Sequence, residues 1–147
     1  MIEEGVVVFE KTVVGFPAEG GIELSAWLFV PRDRIGPAPA ITMAHGYAGT
    51  KYHGIEPMAE AFAEAGFVVL LLDYCSFGDS GGEPRQDINP WQQITDWRRA
   101  ISYLQDRPEV DGDRIGLWGT SFAGGHAIVL GATDRRLKAV VAQVPTI

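Results

Sequence analysis

Phe67-Val68-Val69-Leu70-Leu71-Leu72 is six apolar residues in a row, closed off by Gly66 before and Asp73 after. A continuous run of this kind reads as a strand covered on both faces, which is the habit of central strands in a parallel sheet. Its surroundings supply the cover. Residues 38–44 form a second short apolar strand, ending at His45-Gly46, and Ile55, Met58, Ala59, Phe62 and Ala63 then recur at helical spacing until Gly66. After a Gly-rich loop, Asn89-Pro90-Trp91-Gln92 carries the marks of a helix start: an N-cap side chain, proline at the first position and Gln three residues on. Ile94, Trp97, Ile101 and Leu104 are the buried stripe of that helix.

Asp111-Gly112-Asp113 is expected to turn into a strand over residues 114–119, followed by a helix over 122–133 and a last strand over 137–144. From residue 38 the order is therefore β-α-β-α-β-α-β, which means a mostly parallel sheet with helices on both faces. Ahead of it, residues 5–16 and 22–31 read as two strands around Pro17-Ala18-Glu19-Gly20-Gly21. Leu24, Ala26, Leu28 and Val30 alternate with Glu23, Ser25, Trp27 and Phe29, as in an antiparallel hairpin leading into an α/β fold.

The 147 residues suffice for one domain with a real core, spanning 1–147, and the 46% apolar and 21% charged composition is that of a globular chain. A net charge of −7 argues against nucleic acid or an anionic membrane as the main partner. The lone Cys75 excludes an internal disulfide and reads as a small buried residue. No ligand cluster implies a metal or an organic cofactor. No apolar run approaches the ~20 residues of a membrane span, and Met1-Ile2-Glu3-Glu4 lacks the basic region of a leader, so a cytoplasmic location is expected.

Chemistry concentrates where the last strands end. Gly119-Thr120-Ser121-Phe122-Ala123-Gly124-Gly125 joins a buried strand to a helix of small residues. A serine on such an elbow presents its hydroxyl at the top of the sheet, beside a helix N-terminus. The plainer reading of Ser121 is a helix N-cap. A second polar loop, His45-Gly46-Tyr47-Ala48-Gly49, follows the strand expected beside that of Ser121. Acyl transfer needs two preorganised donors for the oxyanion, and the candidates are the backbone N–H groups of Tyr47 and Phe122. His45 reads as a buried, hydrogen-bonded, loop-shaping residue. Ser80 competes for the nucleophile, because Gly78-Asp79-Ser80-Gly81-Gly82 matches a string of trypsin-like proteases. That fold is all-β, whereas here the string lies between a parallel strand and a crossover helix, so it reads as a turn.

These motifs, in this order and spacing, resemble the N-terminal half of an α/β-hydrolase, particularly the dienelactone-hydrolase-like and X-Pro-peptidase-like esterases and acyl hydrolases. The matching pieces are the loop from His45 to Gly49, the stretch from Asp73 to Gly81, and the elbow around Ser121, where Ala123 replaces the usual second glycine. The resemblance implies a serine ester or acyl hydrolase acting on a small-molecule ester, with Ser121 as nucleophile and the Tyr47 and Phe122 amides as oxyanion hole. It also implies an acid and a histidine on loops after two further strands.

Neither is expected here. Of the histidines, His126 should point away from Ser121, and His53, in a loop, is the one conceivable stand-in. The alternative is a non-catalytic fragment or scaffold of the same ancestry. Ala139-Val140-Val141-Ala142 reads as an interior strand left at an edge, so strand 137–144 is expected to be covered by a second copy or a separate C-terminal fragment. Trp27, Trp91, Trp97 and Trp118 are expected in the core or in helix packing, and Asp79, Glu83 and Asp87 in a solvated charged loop.

Overall fold

The computed structural model describes residues 8–147. Six strands form one sheet: β1 (Phe9–Pro17), β2 (Glu23–Pro31), β3 (Ala38–Ala44), β4 (Val68–Leu72), β5 (Val110–Thr120) and β6 (Leu137–Gln143), in the order β1-β2-β4-β3-β5-β6. The β1–β2 hairpin is antiparallel, and so is the β2–β4 pair. From β4 across β3 and β5 to β6 all pairings are parallel. The expected hairpin strand over residues 5–16 begins in residues outside those described, and its observed part runs from Phe9.

Three helices make the crossovers: α1 (Glu56–Glu64), α2 (Pro90–Gln105) and α3 (Phe122–Thr133). Gly66, at φ 102°, takes the chain out of α1 in a conformation that a side chain disfavours. Asn89 caps α2 by accepting a hydrogen bond from the Gln92 N–H at 3.2 Å.

All five residues of β4 are buried, because the helices lie on both sides of the sheet. On one side Leu70 and Leu72 pack with Trp97, Ile101 and Leu130 from α2 and α3. On the other, Val69 and Leu71 pack with Ala59 and Ala63 of α1 and with Trp118. β2 departs from simple alternation: Leu24, Ala26 and Leu28 enter the first core while Trp27 and Phe29 enter the second. It is flanked by strands on both edges and covered on both faces, so apolar residues are needed in both registers.

Two expectations are corrected. The Asp111-Gly112-Asp113 turn lies inside β5 as an irregularity, since Ala38 pairs with Val110 but Ala40 pairs with Ile115. The Asp111 carboxylate accepts the Asp113 N–H at 3.0 Å, so the local turn chemistry persists within the longer strand. Trp91, unlike the buried Trp27, Trp97 and Trp118, is 73% exposed, because it sits in the first turn of α2 beyond the cover of its neighbours. Among the described residues no helix is long and apolar enough to cross a membrane.

Candidate active site

The site is assembled by register. β3 and β5 are neighbours, and Ala44 pairs with Gly119, so the loop after β3 and the elbow after β5 leave the sheet side by side. Open α/β sheets bind ligands at this end of their strands.

Ser121 adopts φ 56°, ψ −118°, a conformation rare for any residue with a side chain. The surroundings hold it there. Its N–H donates to the Gln143 carbonyl at 2.9 Å, and its own carbonyl accepts the N–H groups of Gly124 and Thr146, each at 2.9 Å. The hydroxyl is not spent on capping α3, and it has no hydrogen-bond partner among the described residues. Ser121 is thus the N-cap of α3 by position, without a capping hydrogen bond from its side chain.

Two close approaches explain the glycines. A Cβ on Gly119 would lie 2.9 Å from the Trp97 ring and overlap the Ala123 carbonyl. A Cβ on Gly46 would stand 3.2 Å from the Ser121 Cβ. Gly46 therefore lets the loop backbone lie against the serine.

Tyr47, the next residue, is exposed, and its N–H has no acceptor among the described residues. Phe122 opens α3, where helix geometry leaves the N–H without an intrahelical acceptor. Phe122 adjoins Ser121 in sequence, and Tyr47 follows Gly46, whose backbone lies close to the serine.

Each of the three histidines has one ring nitrogen engaged in a contact away from Ser121. His45 is buried, its Nδ1 lies 3.0 Å from the Gly46 carbonyl, and burial lowers its pKa. Its Nε2 and the hydroxyl of buried Tyr74 lack partners within the described residues. His126 is buried on α3 with Nε2 2.7 Å from the Gln93 side-chain oxygen, and burial brings its pKa down to about 4. His53 accepts the Thr50 N–H on Nδ1 at 2.8 Å, closing its own loop.

Ser80 is buried and fully used. It donates to the Asp73 carbonyl at 2.7 Å and accepts the Ser25 N–H at 2.8 Å, which makes it a strut between β2 and the loop after β4. Cys75 is half-buried rather than buried, because it lies on that loop at the margin of the core.

Sequence reasoning missed Lys51 and misjudged Asp79. The Lys51 ammonium is completely buried, paired with the equally buried Asp73 and, at 2.7 Å, with Asp79. Asp79 is not merely solvated: it also accepts the Tyr52 hydroxyl at 2.6 Å. Burial opposes the Lys51 charge, but the hydrogen bonds to Asp73 and Asp79 outweigh it and hold the ammonium above its ordinary pKa. The same bonds from Lys51 and Tyr52 hold Asp79 below the usual carboxylate range.

A family profile described as X-Pro dipeptidyl-peptidase (S15 family) matches residues 20–147. The chain is 41% identical over 124 residues to the quorum-quenching protein AidA of Acinetobacter baumannii, across 84% of this chain and 40% of AidA. It is 36% identical over 140 residues to the thiohydrolase aneE of Aspergillus aculeatus, across 94% of this chain and 43% of that protein. The crystal structure of the α/β-hydrolase GrgF from Penicillium superposes with a TM-score of 0.82 at 32% identity, covering 88% of this chain and 44% of GrgF. The chain thus spans well under half the length of these relatives.

Proposed function

Because this chain belongs to the X-Pro dipeptidyl-peptidase (S15) family of α/β-hydrolases, we propose that it is the nucleophile-bearing part of a serine acyl hydrolase. Ser121 attacks the carbonyl of a small carboxylic ester or thioester, and the Tyr47 and Phe122 amides hold the oxyanion. The thioester is included because of the thiohydrolase relative. One observation carries the reading: Ser121 is held at a strained φ of 56° with its hydroxyl unbonded, against a loop backbone that Gly46 lets approach closely. Strain of this kind persists only where the surroundings over-determine it, and it clusters at functional sites.

Attack requires a base to take the hydroxyl proton; His53 and His126 are held by other partners, and His45 is a buried, loop-shaping residue bonded through Nδ1 to the Gly46 carbonyl, with its Nε2 unpartnered. On this reading the base and its acid come from polypeptide outside residues 1–147. That polypeptide has a surface to occupy. β6 is an edge strand with Val140 and Val141 exposed, and Ile41, Phe62, Phe67 and Trp118 line an apolar groove beside it. Polypeptide corresponding to the remaining length of the relatives pairs with β6, covers this groove and completes the site.

The test is a fluorophosphonate probe and p-nitrophenyl acetate and butyrate applied to the full chain beside Ser121→Ala, with intact mass recorded on the same samples. Loss of a triad member costs several powers of ten yet leaves about 10³–10⁴-fold catalysis over water. Slow acylation confined to Ser121 is expected. Absence of any adduct, or an adduct that survives in Ser121→Ala, overturns the reading.

A further inference from the structure

Residues 45–54 contain no helix or strand, yet they carry Tyr47. Their internal hydrogen bonds are short-range: Gly49 N–H to the Gly46 carbonyl at 3.2 Å, His53 N–H to the Thr50 carbonyl at 3.0 Å, and the bonds of His45 and His53 to their own turns. Among the described residues, every long-range hydrogen bond of this segment ends on Asp73 or Asp79. The Lys51 N–H donates to Asp73 Oδ1 at 2.7 Å, the Lys51 ammonium donates to Asp73 Oδ2 and Asp79 Oδ2, and the Tyr52 hydroxyl donates to Asp79.

Asp73 is well placed to be the anchor. It follows Leu72, which pairs with Ala44, so the anchor stands beside the root of the very loop it holds. Its own N–H donates to the Ser25 carbonyl at 2.9 Å, and Oδ2 also accepts the Asp79 N–H at 2.9 Å. A Cβ on Gly78 would overlap the Asp73 carboxylate, so the following loop is shaped around that group. The Lys51 ammonium is walled in by two rings, with the centroids of Tyr52 at 4.9 Å and Trp27 at 5.3 Å.

A buried ion pair is poor value as a source of stability, since apolar residues of the same volume do as well or better. What it does supply is one defined geometry. Resting on the serine-hydrolase reading above, we infer that the Lys51–Asp73 pair is a positioning device: it fixes the loop over residues 45–51 so that the Tyr47 N–H stands beside the Ser121 hydroxyl. Lys51 and Asp73 touch no substrate. They act through the two ends of a six-residue span, pinned at Ala44 by the sheet and at Lys51 by the carboxylate.

The experiment removes both charges together, as Lys51→Met/Asp73→Asn in the full chain, so that neither partner is left buried alone. Three quantities are read: the thermal midpoint, amide exchange of residues 45–54, and the rate of Ser121 acylation by the fluorophosphonate probe, with Ser121→Ala as control. The inference expects a midpoint within a few degrees of the parent, exchange at least ~10-fold faster in 45–54, and acylation slower by about a hundredfold, the loss typical of one oxyanion donor. Acylation at the parent rate, unchanged exchange in 45–54, or a fall in acylation that only tracks a collapse of the midpoint overturns it. A parent chain that shows no Ser121 adduct overturns the hydrolase reading itself and the positioning role with it.

Discussion

The rings of Tyr47 and Phe122 meet edge to face, with centroids 5.5 Å apart and planes inclined at 83°. These are the two residues whose amides are proposed to hold the oxyanion, and the loop after β3 and the elbow after β5 touch through their side chains as well as where Gly46 approaches the serine. Such a pair contributes about 0.5–1.5 kcal/mol beyond its buried area. Phe122 also meets His126 edge to face, with centroids 4.8 Å apart, which ties the contact into α3.

Truncating one ring should therefore loosen the relative placement of the two amides. Tyr47→Ala is expected to slow Ser121 acylation by up to about tenfold, while Tyr47→Phe, which keeps the ring, stays at the parent rate. Single-turnover labelling of the two variants side by side checks this, and equal rates for both would refute it.

The strain at Ser121 is measurable as stability. Ser121→Gly removes the side chain that makes φ 56° costly, whereas Ser121→Ala keeps a Cβ there. Ser121→Gly should be the more stable of the two by about 1 kcal/mol in urea denaturation, net of the extra freedom glycine gains when unfolded. The opposite order would mean that the elbow is relaxed.

Burial holds His126 neutral down to a pKa of about 4, against 6.5 for the free side chain. The unfolded chain then binds the proton first, so the His126 contribution is complete above pH 6.5 and is lost as pH falls from 6.5 toward 4. Asp96, whose pKa burial raises, acts in the opposite sense above its ordinary value, so the comparison must be a difference. The stability of the parent should drop relative to that of His126→Gln by about 1–3 kcal/mol across this window. Parallel pH profiles for the two proteins would exclude it.

Trp97 is fully buried and its indole N–H donates to the Thr42 hydroxyl at 2.9 Å, linking α2 to the middle of β3. Thr42→Val keeps the shape and strands that donor, at a cost of about 1–3 kcal/mol. Urea midpoints with an unchanged slope are the check.

At the sheet edge, Val141 is 50% exposed within the apolar stretch from Ala139 to Ala142 of β6. If uncovered β6 pairs with other copies when its proper cover is absent, Val141→Lys should shift the chain toward monomer in light scattering behind size exclusion. A parent chain that is already a monodisperse monomer would refute pairing between copies at β6.

Local chemistry made much of this architecture readable. The apolar run of β4, the break at Gly66 and the Asn89-Pro90 cap each state their structure within a few residues, and the elbow is legible because close backbone approach demands small residues. The missed features are long-range. Lys51 looks like a surface residue until carboxylates 22 and 28 positions later fold over it. Trp91 looks like core because of its size, but its place in the first turn of α2 leaves it outside. Asp111-Gly112-Asp113 makes its turn as its composition demands, and only pairing with β3 on either side absorbs that turn into a strand.

The carbonyl of Gln143, which ends edge strand β6, and the N–H of Thr146 in the segment after it are the groups that grip the backbone of Ser121 from outside its own helix. Fraying of that strand and relaxation of the serine are consequently a single event. An edge of the sheet works as a thermostat for a strained residue, and whatever damps that edge keeps the hydroxyl cocked.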